Sequence, residues 1–225
     1  MNWTQIADVA TMSGGILYLM PILLLIALTV SIERFLFLNR MVRLGNEAAL
    51  AVEDLPNLQG RALAEIAEKS AFPFRAILEG PVRFPHIKDS GRLSEILQEA
   101  VMRQVPILDK RLWILDTTVT LAPLLGLLGT IIGMFHAFQV LNNAAQNPTL
   151  ITGSVAEALL ATAAGLIIAI VGLVAFNGLH NRMRYVVHQM ETLRTMLINR
   201  LEGLDHSHAL IHSEAQPLTY AAAEA

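Results

Sequence analysis

The chain of 225 residues is 54% hydrophobic and 16% charged, whereas about a quarter of the residues of an ordinary soluble domain are charged. It contains no cysteine, which excludes disulfides, thiolate metal sites and cysteine nucleophiles, and its net charge of −3 gives no electrostatic argument for nucleic-acid binding. The composition therefore indicates a membrane protein with room for one compact unit.

Three apolar segments are long enough to cross a bilayer, which takes about 20 helical residues. They cover residues 16–38, 117–141 and 155–179. The first segment is not expected to be a signal peptide, because residues 1–15 contain no Lys or Arg and a signal peptide begins with a positively charged region. We therefore predict three membrane-spanning helices.

The positive charges predict the orientation of these spans. All 16 Lys and Arg residues lie either between Arg34 and Arg111 or after the third span, and none lies in residues 1–15 or in the loop NNAAQNP at 142–148. Lys and Arg are enriched in cytoplasmic loops. The N-terminus and the 142–148 loop are therefore predicted to be periplasmic, and the C-terminus and the long segment between the first two spans cytoplasmic.

Apolar residues at helical spacing continue from the second and third spans into the predicted cytoplasmic region. Before the second span they are Leu93, Ile96, Leu97, Ala100, Val101, Val105, Leu108, Leu112 and Leu115, and after the third they are Met183, Val186, Val187, Met190, Leu193, Leu197 and Leu201. Pro106 could kink the first of these stretches. We expect an all-α integral membrane protein with three transmembrane helices, the second and third extended into the cytoplasm as long amphipathic helices that pack on each other.

Loop signals divide the cytoplasmic part further. They occur at DLPNLQG (54–60), around Pro73 and at EGPVRFPHIKDSG (79–91), and they break this part into short pieces. The predicted segments are a periplasmic N-terminus at 1–15, transmembrane helix 1 at 16–38, a cytoplasmic helical segment at 39–111, transmembrane helix 2 at 112–141, a periplasmic loop at 142–153, transmembrane helix 3 at 154–179, a cytoplasmic helical extension at 180–204 and a mobile tail at 205–225.

Motifs of catalysis and cofactor binding are missing from the sequence. No glycine-rich phosphate loop follows a strand, and the polar part has no nucleophile–base pattern, so we expect neither an enzyme nor a bound cofactor. His206, His208 and His212 of the tail could bind a metal, but no carboxylate or cysteine partner lies at ligand spacing. We therefore favour a solvated tail over a metal site.

Small residues recur at helical spacing within the second and third spans. They are Gly126, Gly129 and Gly133 in the second and Ala158, Ala161, Gly165, Ala169 and Gly172 in the third. Small residues let helices approach closely in a membrane, where lipid supplies no hydrophobic drive for association. We predict that these glycines are helix-packing positions in a tight bundle or an oligomer.

One carboxylate stands inside the third span. Glu157 is the only Asp, Glu, Lys or Arg between Asp116 and Arg182. An ionisable group within a span costs several kcal/mol unless it faces a cavity, is paired or is protonated, so it marks an ion or proton path by default. The alternative is a boundary residue that meets water at the outer edge of the hydrocarbon. The hydroxyls of Thr162 and Thr130 could relay a proton or hold a water, or bond the backbone of their own helices.

The two spans that carry these residues resemble a known family. LAPLLGLLGTIIGMFHAF (121–138) with VAEALLATAAGLIIAIVGLVAFN (155–177) is similar to the paired signature of the MotA/TolQ/ExbB proton channel family, and within it to the ExbB branch. The order of one span, a cytoplasmic segment and two more spans agrees over nearly the whole chain. Relatives often have A-I-P-A at 169–172, where this chain has AIVG, so a proline kink is not expected here, although Gly172 still permits a bend.

The resemblance implies both a function and roles for three residues. Glu157 corresponds to the glutamate of the A-E-A-L-x-A-T-A motif, Thr162 to its threonine, and Thr130 to the threonine of G-L-x-G-T, which together would form a proton pathway. The family resemblance further implies a bacterial inner-membrane subunit that forms a homopentamer around the single spans of two ExbD-like partners. Proton flow to an aspartate of that partner would energise a TonB-like protein, which drives uptake of iron-siderophore complexes or similar cargo through the outer membrane.

Other functions stay open at this point. A TolQ-like role in the Tol-Pal envelope system is not separated from the ExbB role by one chain. A scaffold that only stabilises its partners is a different class, in which Glu157 would be an interface or boundary group. A flagellar stator of the MotA type is disfavoured, because such a chain resembles a four-span protein with a larger cytoplasmic domain.

Overall fold

The computed structural model describes residues 15–55, 61–143 and 148–201, and every element within these ranges is an α-helix. The helices are α1 (Ile16–Glu53), α2 (Arg61–Lys69), α3 (Phe74–Arg83), α4 (Ser90–Asp109), α5 (Leu112–Asn143) and α6 (Pro148–Leu201). Of these, α1, α5 and α6 are long and apolar enough to cross a membrane. The predictions of an all-α protein and of three spanning helices are therefore confirmed. The predicted mobile tail and residues 1–14 lie outside the described residues.

The chain divides into two compact units, and the divisions fall inside α1, just before the end of α4, and inside α6. The first consists of Met1–Asn39 with Leu108–Arg184, and we call it the spanning unit. The second consists of Arg40–Ile107 with Tyr185–Ala225. The three predicted membrane segments fall in the spanning unit.

Within the spanning unit, α1, α5 and α6 meet in a small hydrophobic core. Its buried members are Ile16, Met20, Ala122 and Ile168, and Leu24, Leu125, Ile132 and Ala164 pack against them. Much of the remaining surface of the three helices is exposed and apolar, as at Leu25 and Val174. Such a surface would be costly in water and suits lipid or further helices.

The second unit has a core of larger side chains. Its buried members include Ala48, Val52, Leu63, Phe74, Ile77, Leu78, Leu93, Leu97, Met190, Leu193 and Leu197. Polar contacts tie the α6 part of this unit to two neighbours. Gln189 Nε2 donates to Asn46 Oδ1 over 2.7 Å, and Arg194 Nη2 donates to Ser94 Oγ over 2.8 Å. A polar, α-helical bundle of this kind accounts for the amphipathic stretches seen in the sequence.

The extension of the spans into the second unit differs in detail from the expectation. The first span, predicted to end at residue 38, continues as one helix to Glu53, because the buried residues Met41, Ala48 and Val52 prolong its apolar stripe and the next helix breaker is Pro56. Helix α6 also continues unbroken past the third span.

The helix that precedes the second span is interrupted. Helix α4 ends at Asp109, α5 begins at Leu112, and Arg111 between them has φ 72°. A left-handed residue cannot continue a right-handed helix. The extension that we expected of the second span is therefore a separate helix, α4.

Two predicted loops are partly helical. Helix α3 runs into the 79–91 loop as far as Arg83, with Gly80 and Pro81 buried. A Cβ atom on Gly80 would lie 2.6 Å from Leu97 Cδ2, so this segment is held against α4. At the other predicted loop, 142–153, α5 continues to Asn143 and α6 starts at Pro148.

Candidate functional site

Helices α5 and α6 run antiparallel and touch along their small residues. A Cβ atom built on Gly133 would lie 2.7 Å from the Cβ of Ala158, and one built on Gly129 would lie 2.9 Å from the Cβ of Ala161. Both separations are shorter than any ordinary contact between carbon atoms. Any side chain at these two glycines would therefore push the helices apart.

The backbones come closest around Gly126 and Gly165. A Cβ atom on Gly126 would lie 3.0 Å from both the carbonyl oxygen of Ala161 and the Cα of Thr162, and one on Gly165 would collide with the carbonyl oxygen of Ala122. This approach brings a side chain of α6 within reach of the α5 backbone. Thr162 Oγ1 donates a hydrogen bond to the carbonyl oxygen of Gly126 over 2.9 Å.

Thr130, the other sequence-predicted hydroxyl, is bonded within its own helix. Its Oγ1 donates to the carbonyl oxygen of Leu127 over 2.6 Å. This is the usual behaviour of a threonine inside a membrane helix. The hydroxyl protons of Thr130 and Thr162 are thus both held by backbone carbonyls, one within a helix and one between helices.

Glu157 lies on α6, beside the contact with α5. Its side chain is partly buried, and its Oε2 atom is buried with no hydrogen-bond partner among the described residues. A buried carboxylate oxygen without a donor is costly when ionised, and protonation or an added partner removes that cost. The carboxyl group is therefore able to take up a proton or to bind a group that the single chain does not supply.

The structure does not bring Glu157 and Thr162 to one side of α6. Five residues of an α-helix turn through about 500°, so the two side chains point about 140° apart. Ala158 and Ala161, which contact α5, lie between them around the helix. Glu157 and Thr162 therefore flank the α5–α6 contact on opposite sides.

Further along α6, the side of the helix that carries Glu157 packs against α1. Ala164 and Ile168 follow Glu157 by seven and eleven residues, which places them within about 20° of it around the helix. Both pack in the cluster that contains Ile16 and Met20 of α1. Thr162 lies on the opposite side of the contact, away from α1.

A further titratable residue, His136, escaped the sequence analysis because only Asp, Glu, Lys and Arg were counted in the spans. It lies in α5, partly buried, with its ring centroid 6.3 Å from that of Phe135. Eleven residues separate it from Leu125, so both share one side of α5, and Leu125 packs in the α1 cluster. His136 and Glu157 are thus on the α1 side of their helices. An imidazole within the run GMFHAF was the available signal.

Charged groups gather at the opposite end of the spanning unit, where α5 begins. Glu33 Oε2 lies 3.2 Å from Nε of Arg34, and Glu33 Oε1 lies 3.2 Å from Nη1 of Arg111. The guanidinium of Arg182 lies over the Phe35 ring at 4.2 Å from its centroid. The Glu33–Arg111 and Arg182–Phe35 contacts link α1 to the residue before α5 and to α6, where the apolar segments end.

The candidate metal ligands of the sequence all belong to the tail. Within residues 15–55, 61–143 and 148–201, no group of three or more His, Cys, Asp or Glu side chains is placed to hold a metal ion. His206, His208 and His212 lie outside the described residues.

The comparisons with known proteins agree on one family. The model of the MotA/TolQ/ExbB proton channel family matches residues 69–192. An ExbB-like biopolymer transport protein of Synechocystis sp. is 31% identical over 202 residues, which cover 84% of this chain and 93% of the relative. The Tol-Pal system protein TolQ of Haemophilus influenzae is 38% identical over 88 residues, 39% of each chain. The biopolymer transport protein ExbB of Neisseria gonorrhoeae is 35% identical over 81 residues, 36% of this chain and 37% of the relative.

The family match covers the segment that contains the α5–α6 contact, Thr162 and Glu157. It therefore applies to the part of the chain whose geometry is described above. The chain belongs to the MotA/TolQ/ExbB proton channel family.

Proposed function

We propose that the chain is the channel-forming subunit of an ExbB–ExbD-type complex in the bacterial inner membrane. In this proposal, the proton motive force drives proton passage through the complex and thereby energises TonB-dependent transport across the outer membrane, with an iron-siderophore complex or similar cargo. The observation that carries the proposal is the carboxyl group of Glu157. It is the only carboxylate of its span, and its Oε2 is buried without a hydrogen-bond partner among the described residues.

Further copies of the chain and ExbD-like partners would cover the exposed apolar surface and supply the group that exchanges the proton. The exposed apolar surfaces of α1, α5 and α6 suit further copies of the chain, and we propose a homopentamer around the single spans of two ExbD-like proteins. An aspartate of the partner would exchange the proton with Glu157. The absence of Lys and Arg from residues 1–15 and 142–148 supports a periplasmic N-terminus and a cytoplasmic C-terminus.

Thr162 and Thr130 stay in the proposed pathway as hydrogen-bond acceptors. Each donates its hydroxyl proton to a backbone carbonyl. The oxygen lone pairs remain available to a water molecule. The proton itself is assigned to Glu157.

The proposal is tested by removing the acid while keeping its shape. Glu157→Gln and Glu157→Ala should both abolish cargo uptake in cells and pH-dependent proton flux in vesicles that contain the purified complex. Glu95→Gln is the matched control, because Glu95 pairs with Arg92 on the surface and both side chains are well exposed. Full uptake by either Glu157 variant, at normal protein levels, would refute the assignment. A complex that supports uptake without proton flux would instead be a scaffold.

A TolQ-like role is the second candidate, favoured by the match to the Haemophilus protein over residues that amount to 39% of this chain. The two roles differ in what a cell loses when the gene is deleted. Loss of siderophore uptake with an intact envelope supports the ExbB role. Leakage of periplasmic proteins and sensitivity to detergent, with normal uptake, supports the TolQ role.

A further inference from the structure

We propose that Thr162 is a positioning residue, whose hydrogen bond to Gly126 sets the rotation of α6 against α5 and hence the direction in which Glu157 points. The functional half of this inference rests on the proposed role of Glu157. The structural half stands on the hydrogen bond and the helix contact alone.

The side chains of the α5–α6 contact do not by themselves fix the rotation of α6 relative to α5. Its surfaces are formed by Gly126, Gly129 and Gly133 on one helix and by Ala158, Ala161 and Gly165 on the other. Small residues allow close approach, but they present no large side chains that interlock and select one rotation. A directional bond at the edge of such a smooth contact can make that selection.

The hydrogen bond of Thr162 is placed to do so. The Cα atoms of an α-helix lie about 2.3 Å from its axis, so turning α6 by 30° moves the Cα of Thr162 by roughly 1 Å. The separation of 2.9 Å between Thr162 Oγ1 and the Gly126 carbonyl oxygen leaves little room for such a movement. The same turn would redirect Glu157, which lies on the other side of the contact.

A role of the Thr162 hydroxyl in relaying protons would require a different hydrogen-bond arrangement. A relay must accept a proton on one side and release its own on the other. The hydroxyl proton of Thr162 is directed at an amide carbonyl oxygen, which does not carry protons onward. In the arrangement seen here, the hydroxyl holds two helices together.

The test uses cross-linking, because the chain has no cysteine of its own. A Cβ atom at position 172 would lie 3.0 Å from Val119 Cγ2, so Val119→Cys with Gly172→Cys introduces a disulfide pair across the same contact. The rate of its oxidation in membranes reports how often α5 and α6 occupy this rotation. Failure of the pair to form a disulfide in the otherwise unchanged chain would overturn the inference at once.

Three variants are compared in that background and, for uptake, without the cysteines. Thr162→Val keeps the shape and removes the hydroxyl, Thr162→Ser keeps the hydroxyl, and Thr29→Val removes a hydroxyl that bonds its own helix at Leu25. We expect Thr162→Val to slow cross-linking about threefold, the average effect of an interhelical hydrogen bond in a membrane, and to reduce cargo uptake. Thr162→Ser should restore both, and Thr29→Val should change neither.

Each other outcome is decisive. Reduced uptake by Thr162→Val with unchanged cross-linking assigns the hydroxyl to the pathway alone and overturns the inference. Slower cross-linking with full uptake shows that the rotation does not matter to Glu157 and overturns it as well. Glu157→Gln is measured in parallel, so that full uptake by that variant identifies a failure of the proposed function while the cross-linking result still reports on Thr162.

Discussion

Replacing Gly165 by alanine should destabilise the spanning unit, whereas the same change at Gly178 should not. Both glycines lie in α6 and are helical. A Cβ atom at 165 would collide with the carbonyl oxygen of Ala122 and lie 3.2 Å from the Cα of Gly126, whereas one at 178 would meet nothing within 4 Å. The pair therefore separates the effect of the helix contact from the effect of alanine on the helix itself.

The magnitude follows from three contributions. Overpacking costs roughly 1–3 kcal/mol. Moving α6 away from α5 also weakens the hydrogen bond between Thr162 and Gly126, which contributes roughly 0.6–1.7 kcal/mol in a membrane. Alanine returns about 1 kcal/mol of helix propensity at either position. The net expectation is a loss of roughly 0.6–3.7 kcal/mol in the free energy of unfolding for Gly165→Ala, and a gain of up to about 1 kcal/mol for Gly178→Ala.

The measurement is unfolding of the purified protein in mixed micelles, followed by circular dichroism as the fraction of denaturing detergent rises. Helix content at the start must match in both variants, which confirms that each has folded. Equal stability of Gly165→Ala and Gly178→Ala would refute the backbone contact between α5 and α6.

Two further predictions concern charged residues outside the α5–α6 contact. Arg111→Gly should be more stable than Arg111→Ala by about 1 kcal/mol in the same unfolding assay. Both variants lose the contact with Glu33, and only glycine adopts the left-handed φ of 72° without strain. Equal stabilities of the two variants would contradict this. Hydrogen bonds from Arg75 and Arg83 hold the pKa of Glu79 below its usual value. The stability that the ionised Glu79 contributes is therefore present above the ordinary glutamate pKa of about 4.3 and is lost as the pH falls through the lowered pKa. Melting temperatures of the wild-type protein and Glu79→Gln should therefore differ at about pH 7, and the difference should shrink as the pH falls below about 4.3. A difference that stays constant in acid would contradict this origin.

Hydropathy and charge were sufficient to predict the spans, because a membrane helix must be apolar over about 20 residues and leaves a strong pattern. The interruption at Arg111 left no such pattern, since arginine is not a residue that marks turns, although its backbone here is left-handed. Helix α3 extends through Gly80 and Pro81 for a related reason. These residues usually mark loops, and here they are buried against α4, so tertiary packing overrides the local preference.

The candidate site was predictable as a set of residues and not as an arrangement. Glu157 and the glycines could be found in the sequence because a lone acid and small residues at helical spacing are conspicuous within apolar runs. The hydrogen-bond partner of the Thr162 hydroxyl could not be found in the sequence. A threonine can bond the backbone of its own helix or that of a neighbouring helix, and the residue type is the same in both cases. Only the approach of α5 at Gly126 decides between them.

The position of α1 has a consequence for the proposed proton path. The contact with α5 lies between Glu157 and Thr162 around α6, and α1 packs further along the side of α6 that carries Glu157. The shorter way around α6 between these two residues of one chain crosses the glycine contact, where the two backbones lie against each other. In the proposed oligomer, a path that includes both residues could instead draw them from neighbouring copies of the chain. A single copy places Glu157 and His136 on the same side of the α5–α6 contact, so in the proposed complex the aspartate of the partner would reach Glu157 from that side.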